Sequence, residues 1–223
     1  MKQNLTAAML IVFLASTAAN AADQAASGWR AKVTAFAADN LKHPAWGLSH
    51  SQRDYALARS MAAADHIILD DDILFAAAYL HDMAAFAPWA QDNKDHADVA
   101  AEKVDTVLAG TDFPMAKMDA LRAAIRTHMW ARDPAGPEAR YLHDADALDW
   151  LGAIGIGRQI ALIDKKGGRP SGPEVIKVME DQMANVPAHV VTPAGKALIA
   201  PRIAEEKAFF DALRRETDNL ARF

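Results

Sequence analysis

Residues 73–82 read Ile73-Leu74-Phe75-Ala76-Ala77-Ala78-Tyr79-Leu80-His81-Asp82, an apolar run closed by an imidazole and a carboxylate. The alanines favour helix, and a run this apolar belongs inside a core. Two polar groups at the end of a buried segment cost stability unless something satisfies them. Neighbouring residues on a helix point about 100° apart, so His81 and Asp82 can grip one ion from two sides, or two ions at once. The dipeptide alone is a weak signal, since His143-Asp144 repeats it further along.

Working outward, the spacing is more telling. His50 lies 31 residues before His81, His96 lies 14 after Asp82, His128 lies 32 further on, and Asp146 lies 18 after His128. Each falls at or near the end of a predicted helix, and the ends of several antiparallel helices can converge on one point. The chain has no cysteine. Thiolate zinc sites, disulfides and cysteine nucleophiles are thereby excluded. Six nitrogen and oxygen ligands suit a divalent Fe or Mn better than a structural zinc, as one ion or two. The remaining histidines, His43, His66, His143 and His189, are read as surface or hydrogen-bonded residues.

Alanine is abundant and β-branched alternation is scarce, so the pattern predicts an all-α chain. Helices are expected at about 28–42, 50–65, 71–84, 96–109, 114–129, 145–166, 172–185 and 193–221. Capping boxes are read at Ser49-His50-Ser51-Gln52 and Ser171-Gly172-Pro173-Glu174. Asp95 and Thr192 are read as N-caps, the latter followed by Pro193, and Gly110 as a stop. Residues 193–221 set Leu198, Ile199, Ile203, Phe209, Phe210 and Leu213 among charges, as a packing helix does. Gly152, Gly155 and Gly157 follow no strand, so they are read as close helix packing rather than a dinucleotide loop.

The words His50-Ser51-Gln52-Arg53, Tyr79-Leu80-His81-Asp82 and Leu142-His143-Asp144-Ala145-Asp146-Ala147-Leu148-Asp149 together resemble the H…HD…D motif of the HD-domain metal-dependent phosphohydrolase superfamily. Gly152-Ala153-Ile154-Gly155-Ile156-Gly157-Arg158 resembles the segment that follows the last aspartate in small bacterial HD hydrolases. The resemblance covers about 45–165. It implies a bundle-like HD fold with C-terminal packing helices, and His50, His81, Asp82 and Asp146 as core metal ligands. The Ala-Asp-x-Leu context selects Asp146 over Asp144, which becomes an outer partner or a helix cap. His96 and His128 match a dinuclear branch acting on nucleotide phosphoesters, while some mononuclear relatives keep such residues as substrate contacts. The implied mechanism is hydrolysis by metal-activated water, with Asp82 bridging two ions or binding one. Arg53, then Arg158, would neutralise phosphoryl charge. This chain departs from the pattern at Met83-Ala84-Ala85-Phe86-Ala87 and at Ala147, where relatives carry polar or basic residues. Trp89 and Trp130 are candidates to stack on a base or line the entrance.

Lys2, the apolar stretch Ala7–Ala15 and Ala19-Asn20-Ala21 read as a signal peptide over residues 1–21, which implies export, to the periplasm by the resemblance. Residues 22–223 are expected to form a single HD-type helical domain, with C-terminal helices over 172–221. No other segment is long and apolar enough to span a membrane once the signal is removed. The 223 residues suit one domain, and apolar residues at 52% suffice for a packed core. A net charge of −5 is a poor match for a nucleic-acid polymer, though a small phosphorylated substrate can still bind at a local positive spot. Oligomeric state is left open. Three functions follow: an exported phosphohydrolase acting on a small phosphoester, nucleotides included; a non-catalytic metal-binding or ligand-sensing periplasmic protein; or a helical adaptor using residues 193–221.

Overall fold

The computed structural model describes residues 28–163 and 172–223. The expected signal segment and the Ser171 capping box lie outside these residues. The described residues form nine α-helices: α1 (Trp29–Asn40), α2 (Leu48–Ala64), α3 (Asp71–Leu80), α4 (His96–Leu108), α5 (Met118–Arg126), α6 (Pro137–Leu148), α7 (Gly152–Ile160), α8 (Gly172–Asn185) and α9 (Pro193–Glu216). None of them is long and apolar enough to cross a membrane.

The centre of the fold is α3. Every residue from Ile73 to Leu80 is buried, because α1, α2, α5 and α6 pack around it. A helix that is apolar on all sides needs such a sleeve, and Ala76, Ala77 and Ala78 let the neighbours come close. Its start is fixed by Asp70, whose carboxylate accepts from the amides of Asp72 and Ile73, at 3.1 and 3.4 Å. Such a cap is worth about 1 kcal/mol. Arg30 bridges Asp71 and Asp72 and ties α1 to the same turn.

α6 lies against α2, α3 and α5. A smaller apolar cluster of Ile156, Val175, Ile176, Met179 and Phe210 joins α7, α8 and α9, and Met183 touches both clusters. Asp95 and Thr192 cap α4 and α9 as expected, and Gly110, at φ +68°, follows the end of α4.

Several boundaries differ from expectation, among them the end of α3, at Leu80 rather than 84. α2 starts at Leu48 behind Gly47, with no side-chain cap, so Ser49-His50-Ser51-Gln52 is not a capping box. The final helix ends at Glu216 rather than 221. The expected 114–129 helix opens with a 3₁₀ turn, Met115–Lys117, and stops at Arg126, leaving His128 just beyond it.

The largest correction concerns 145–166. Residues 137–148 are already helical, and the chain breaks between α6 and α7. Gly152 makes the turn at φ +75°, a conformation open to glycine at little cost. Gly155 then passes so close to Trp150 that an added Cβ would sit 2.3 Å from its carbonyl oxygen. Apolar periodicity runs straight through this break, so the sequence pattern hides it.

Candidate metal centre

His50 sits in the first turn of α2, His81 and Asp82 follow α3, and Asp146 is near the end of α6. His96 opens α4, and His128 lies just past α5. Five elements therefore deliver one polar cluster to one end of the bundle. His50 Nε2 lies 3.2 Å from His81 Nε2, 3.3 Å from Asp146 Oδ1 and 3.6 Å from Asp82 Oδ2. Asp82 Oδ1 meets His96 Nε2 at 3.2 Å and His128 Nε2 at 3.7 Å. The structure thus gathers all six side chains singled out from the sequence. Five are buried, and His96 is partly exposed.

The imidazoles are oriented from behind. His81 Nδ1 bonds the Ala78 carbonyl at 2.9 Å, and His128 Nδ1 bonds the Ile125 carbonyl at 2.7 Å. His50 Nδ1 bonds Asp149 Oδ2 at 2.8 Å. With each Nδ1–H donated to an oxygen, all three Nε2 lone pairs face the cluster, the tautomer a metal ligand requires.

Two carboxylates that sequence reasoning did not single out complete the group. Asp149 also takes two bonds from Arg53, at 3.0 and 2.8 Å. Burial alone would raise its pKa, but the bonds from His50 and Arg53 outweigh that and hold it well below the usual carboxylate range. Asp54, one helical turn after His50, is fully buried and accepts no hydrogen bond from any described residue. Burial pushes it up to about 7. Their spacings, four residues after His50 and three after Asp146, were the available signal.

Burial opposes charge on His50, yet Asp54, Asp146 and Asp149 overcome both burial and Arg158 and raise it to about 10. His128 goes the other way, to about 4, lowered by burial and then by His81. The cluster is therefore short of positive charge, and it leaves a buried carboxylate orphaned. A divalent cation would relieve both, and the nitrogen and oxygen donors suit Fe or Mn.

A cavity of about 390 Å³ opens over the cluster. Asp82, His96, His128 and Asp146 lie on its floor, and Trp46, Trp130 and Trp150 stand among its walls. Trp130 lines it as anticipated; Trp89 packs against Phe36 instead. The two arginines exchange the ranking drawn from sequence. Arg53 lies outside the lining, occupied with Asp149. Arg158 is in the wall and fully buried, its guanidinium 3.6 Å over the Trp150 ring. Its Nε donates to the Ala45 carbonyl, and Nη1 stands 3.2 Å from Asp149. The break after α6 brings it there. Asp144 points away from the cluster and accepts from the Val191 amide and from the amide and hydroxyl of Thr192. It fastens the start of α9 by holding Thr192, which is itself the cap, so Asp144 is neither an outer partner of the cluster nor a helix cap. His43 stacks on Trp46, His143 bonds Asp144 and His189 meets the edge of Trp130.

The fold is shared with proteins of known structure. The chain is similar in fold to a Lactobacillus plantarum protein at 24% identity, over 84% of this chain and 96% of that one, with a TM-score of 0.60. It is likewise similar to a predicted HD superfamily hydrolase from an uncultured Thermotogales bacterium, at 23% identity, over 82% and 88%, with a TM-score of 0.57. Bacillus subtilis YpgQ, solved in complex with ADP, matches at 18% identity over 89% and 96%, with a TM-score of 0.59. No curated protein matches the chain. The HD domain family model matches residues 47–151, which begin just before His50 and end just after Asp149. Residues 47–151 therefore form an HD domain, the family that the H…HD…D words of this sequence resemble.

Proposed function

We propose that this chain is an exported, periplasmic phosphohydrolase. It uses one or two divalent Fe or Mn ions to cleave a small phosphoester, and the aromatic cavity favours one that carries a ring, such as a nucleotide. The observation that carries this reading is the convergence of three oriented Nε2 atoms with Asp82 and Asp146 on the floor of that cavity.

His50, His81, Asp82 and Asp146 are the core ligands in this reading, with His96 and His128 serving a second ion. A divalent ion so held supplies Lewis acidity and activates water for attack on phosphorus. The chain's own groups do the rest. Asp149 holds His50 in register and Arg53 holds Asp149, so Arg53 positions rather than contacts substrate. Arg158, braced on Trp150, presents positive charge towards a phosphoryl oxygen. The indoles exclude water and offer faces for a ring to stack on. YpgQ binds ADP, which supports a nucleotide here by analogy of fold alone.

One observation favours a second reading. Among the described residues, Arg158 is the only Arg or Lys lining the cavity, and it is already engaged by Asp149 and by the Ala45 carbonyl. A described lining with so little uncommitted positive charge suits a metal-binding or ligand-sensing protein without turnover. A phosphoester panel on residues 22–223, with each divalent metal restored in turn, separates the two. Metal-dependent release of phosphate or of a phosphomonoester supports the hydrolase. Metal bound with no cleavage across the panel supports the sensor, and no metal bound overturns both.

A further inference from the structure

Asp54 has no place in the reading above. Its carboxylate is fully buried, both oxygens lack a hydrogen-bond partner among the described residues, and it lies one turn along α2 from His50. A buried carboxylate that accepts no hydrogen bond is costly to keep. Oδ2 stands 3.2 Å from His50 Nε2 and 3.7 Å from His81 Nε2, the nitrogens already turned inward by the bonds behind them. His50, Asp54, His81 and Asp146 each offer one donor atom, all within 4.8 Å of one another. Tetrahedral bonds of about 2.1 Å put neighbouring donors about 3.4 Å apart, which is the scale of these separations. A second group, His81, Asp82 and His128, gathers in the same way and shares His81 with the first. The two groups differ in depth. Asp82 and His128 of the second line the cavity, as does Asp146 of the first, whereas Asp54, His50 and the shared His81 do not.

We propose that Asp54 is a metal ligand, which with His50, His81 and Asp146 encloses an inner cation position beneath the cavity floor. The outer position would then be bounded by His128 and His96, which open on the cavity, with Asp82 between the two positions, its Oδ2 3.6 Å from His50 Nε2 and 3.4 Å from His81 Nε2. This rests on the metal-dependent reading and adds to it a ligand and a depth.

The test uses Co²⁺ as a spectroscopic probe on the metal-stripped chain, with Asp54→Asn, Asp54→Val and the surface control Asp98→Asn. Asparagine keeps the shape, and valine fills a similar volume without polarity, so each removes the ligand in a different way. Far-UV circular dichroism establishes folding. Both Asp54 variants should fold and melt no lower than the stripped wild type, since a buried charge has gone. They should bind Co²⁺ at least about tenfold more weakly, with an altered visible band and a smaller metal-induced rise in melting temperature. Asp98→Asn should match wild type. Wild-type affinity and spectrum in whichever Asp54 variant folds would overturn the assignment while leaving the metal-dependent reading intact. Failure of the wild type itself to bind Co²⁺, Fe²⁺ or Mn²⁺ would instead overturn that reading, and the assignment with it.

Discussion

Three N–H groups converge on the carboxylate of Asp149, one from His50 and two from Arg53, with Arg158 close by. Replacing it with alanine leaves His50 free to turn and Arg158 without its brace. Asp149→Ala should therefore weaken metal binding by about 10–100-fold, read by competition with a chromogenic chelator. Asp146→Ala removes a proposed ligand and should abolish metal-dependent activity. At this scale the histidines and His81-Asp82 were legible because their types and spacing form a known motif. Asp54 and Asp149 were not. A lone aspartate at a helical interval is usually a solvated charge, and only the packing of α2 against α6 shows that these two are buried. Arg158 was underrated because its place had been measured along an uninterrupted helix.

The turn between α6 and α7 determines where Arg158 goes. Gly152→Ala should be destabilising by about 1–3 kcal/mol, since alanine is strained at φ +75° and its Cβ would come within 2.7 Å of Glu205 Oε2. Its melting temperature should fall with activity, if Arg158 contacts substrate. Against the same turn lies Glu206 of α9, buried, with no side-chain donor among the described residues bonded to either oxygen. Burial raises its pKa from 4.5 to about 7, only partly offset by the Gly152 amide and Arg202. A carboxyl raised on folding contributes most below pH 4.5, and the contribution is lost as pH climbs towards 7. Glu206→Gln should therefore melt higher than wild type at pH 8, with the gap narrowing towards pH 5. Helix existence was legible from alanine content, caps and apolar faces. The break at 149–151 was not, because a positive φ at glycine leaves no mark on hydrophobic periodicity.

The molecule has no disulfides to hold its end of the bundle together, and the polar cluster there is short of positive charge. If a divalent ion binds the folded chain and not the unfolded one, free metal at 1,000 Kd adds about 4 kcal/mol. Exhaustive chelation should then lower melting by about 8–16 °C, a shift read by calorimetry with metal loss checked by elemental analysis. The all-α class was open to view in composition alone, whereas the split into a main and a smaller apolar cluster depends on which faces α7, α8 and α9 turn to each other. Asp144 binds the head of α9 across 47 and 48 residues of chain, from a position two residues away from Asp146. Synthesis runs from the N-terminus, so every residue of the cluster leaves the ribosome before the amides that fasten Asp144 exist. An emerging chain halted before Val191 holds the whole set of histidines and aspartates, yet α6 still lacks its anchor. The last fastening of α6, and with it of the segment that carries Asp146, therefore awaits the arrival of α9.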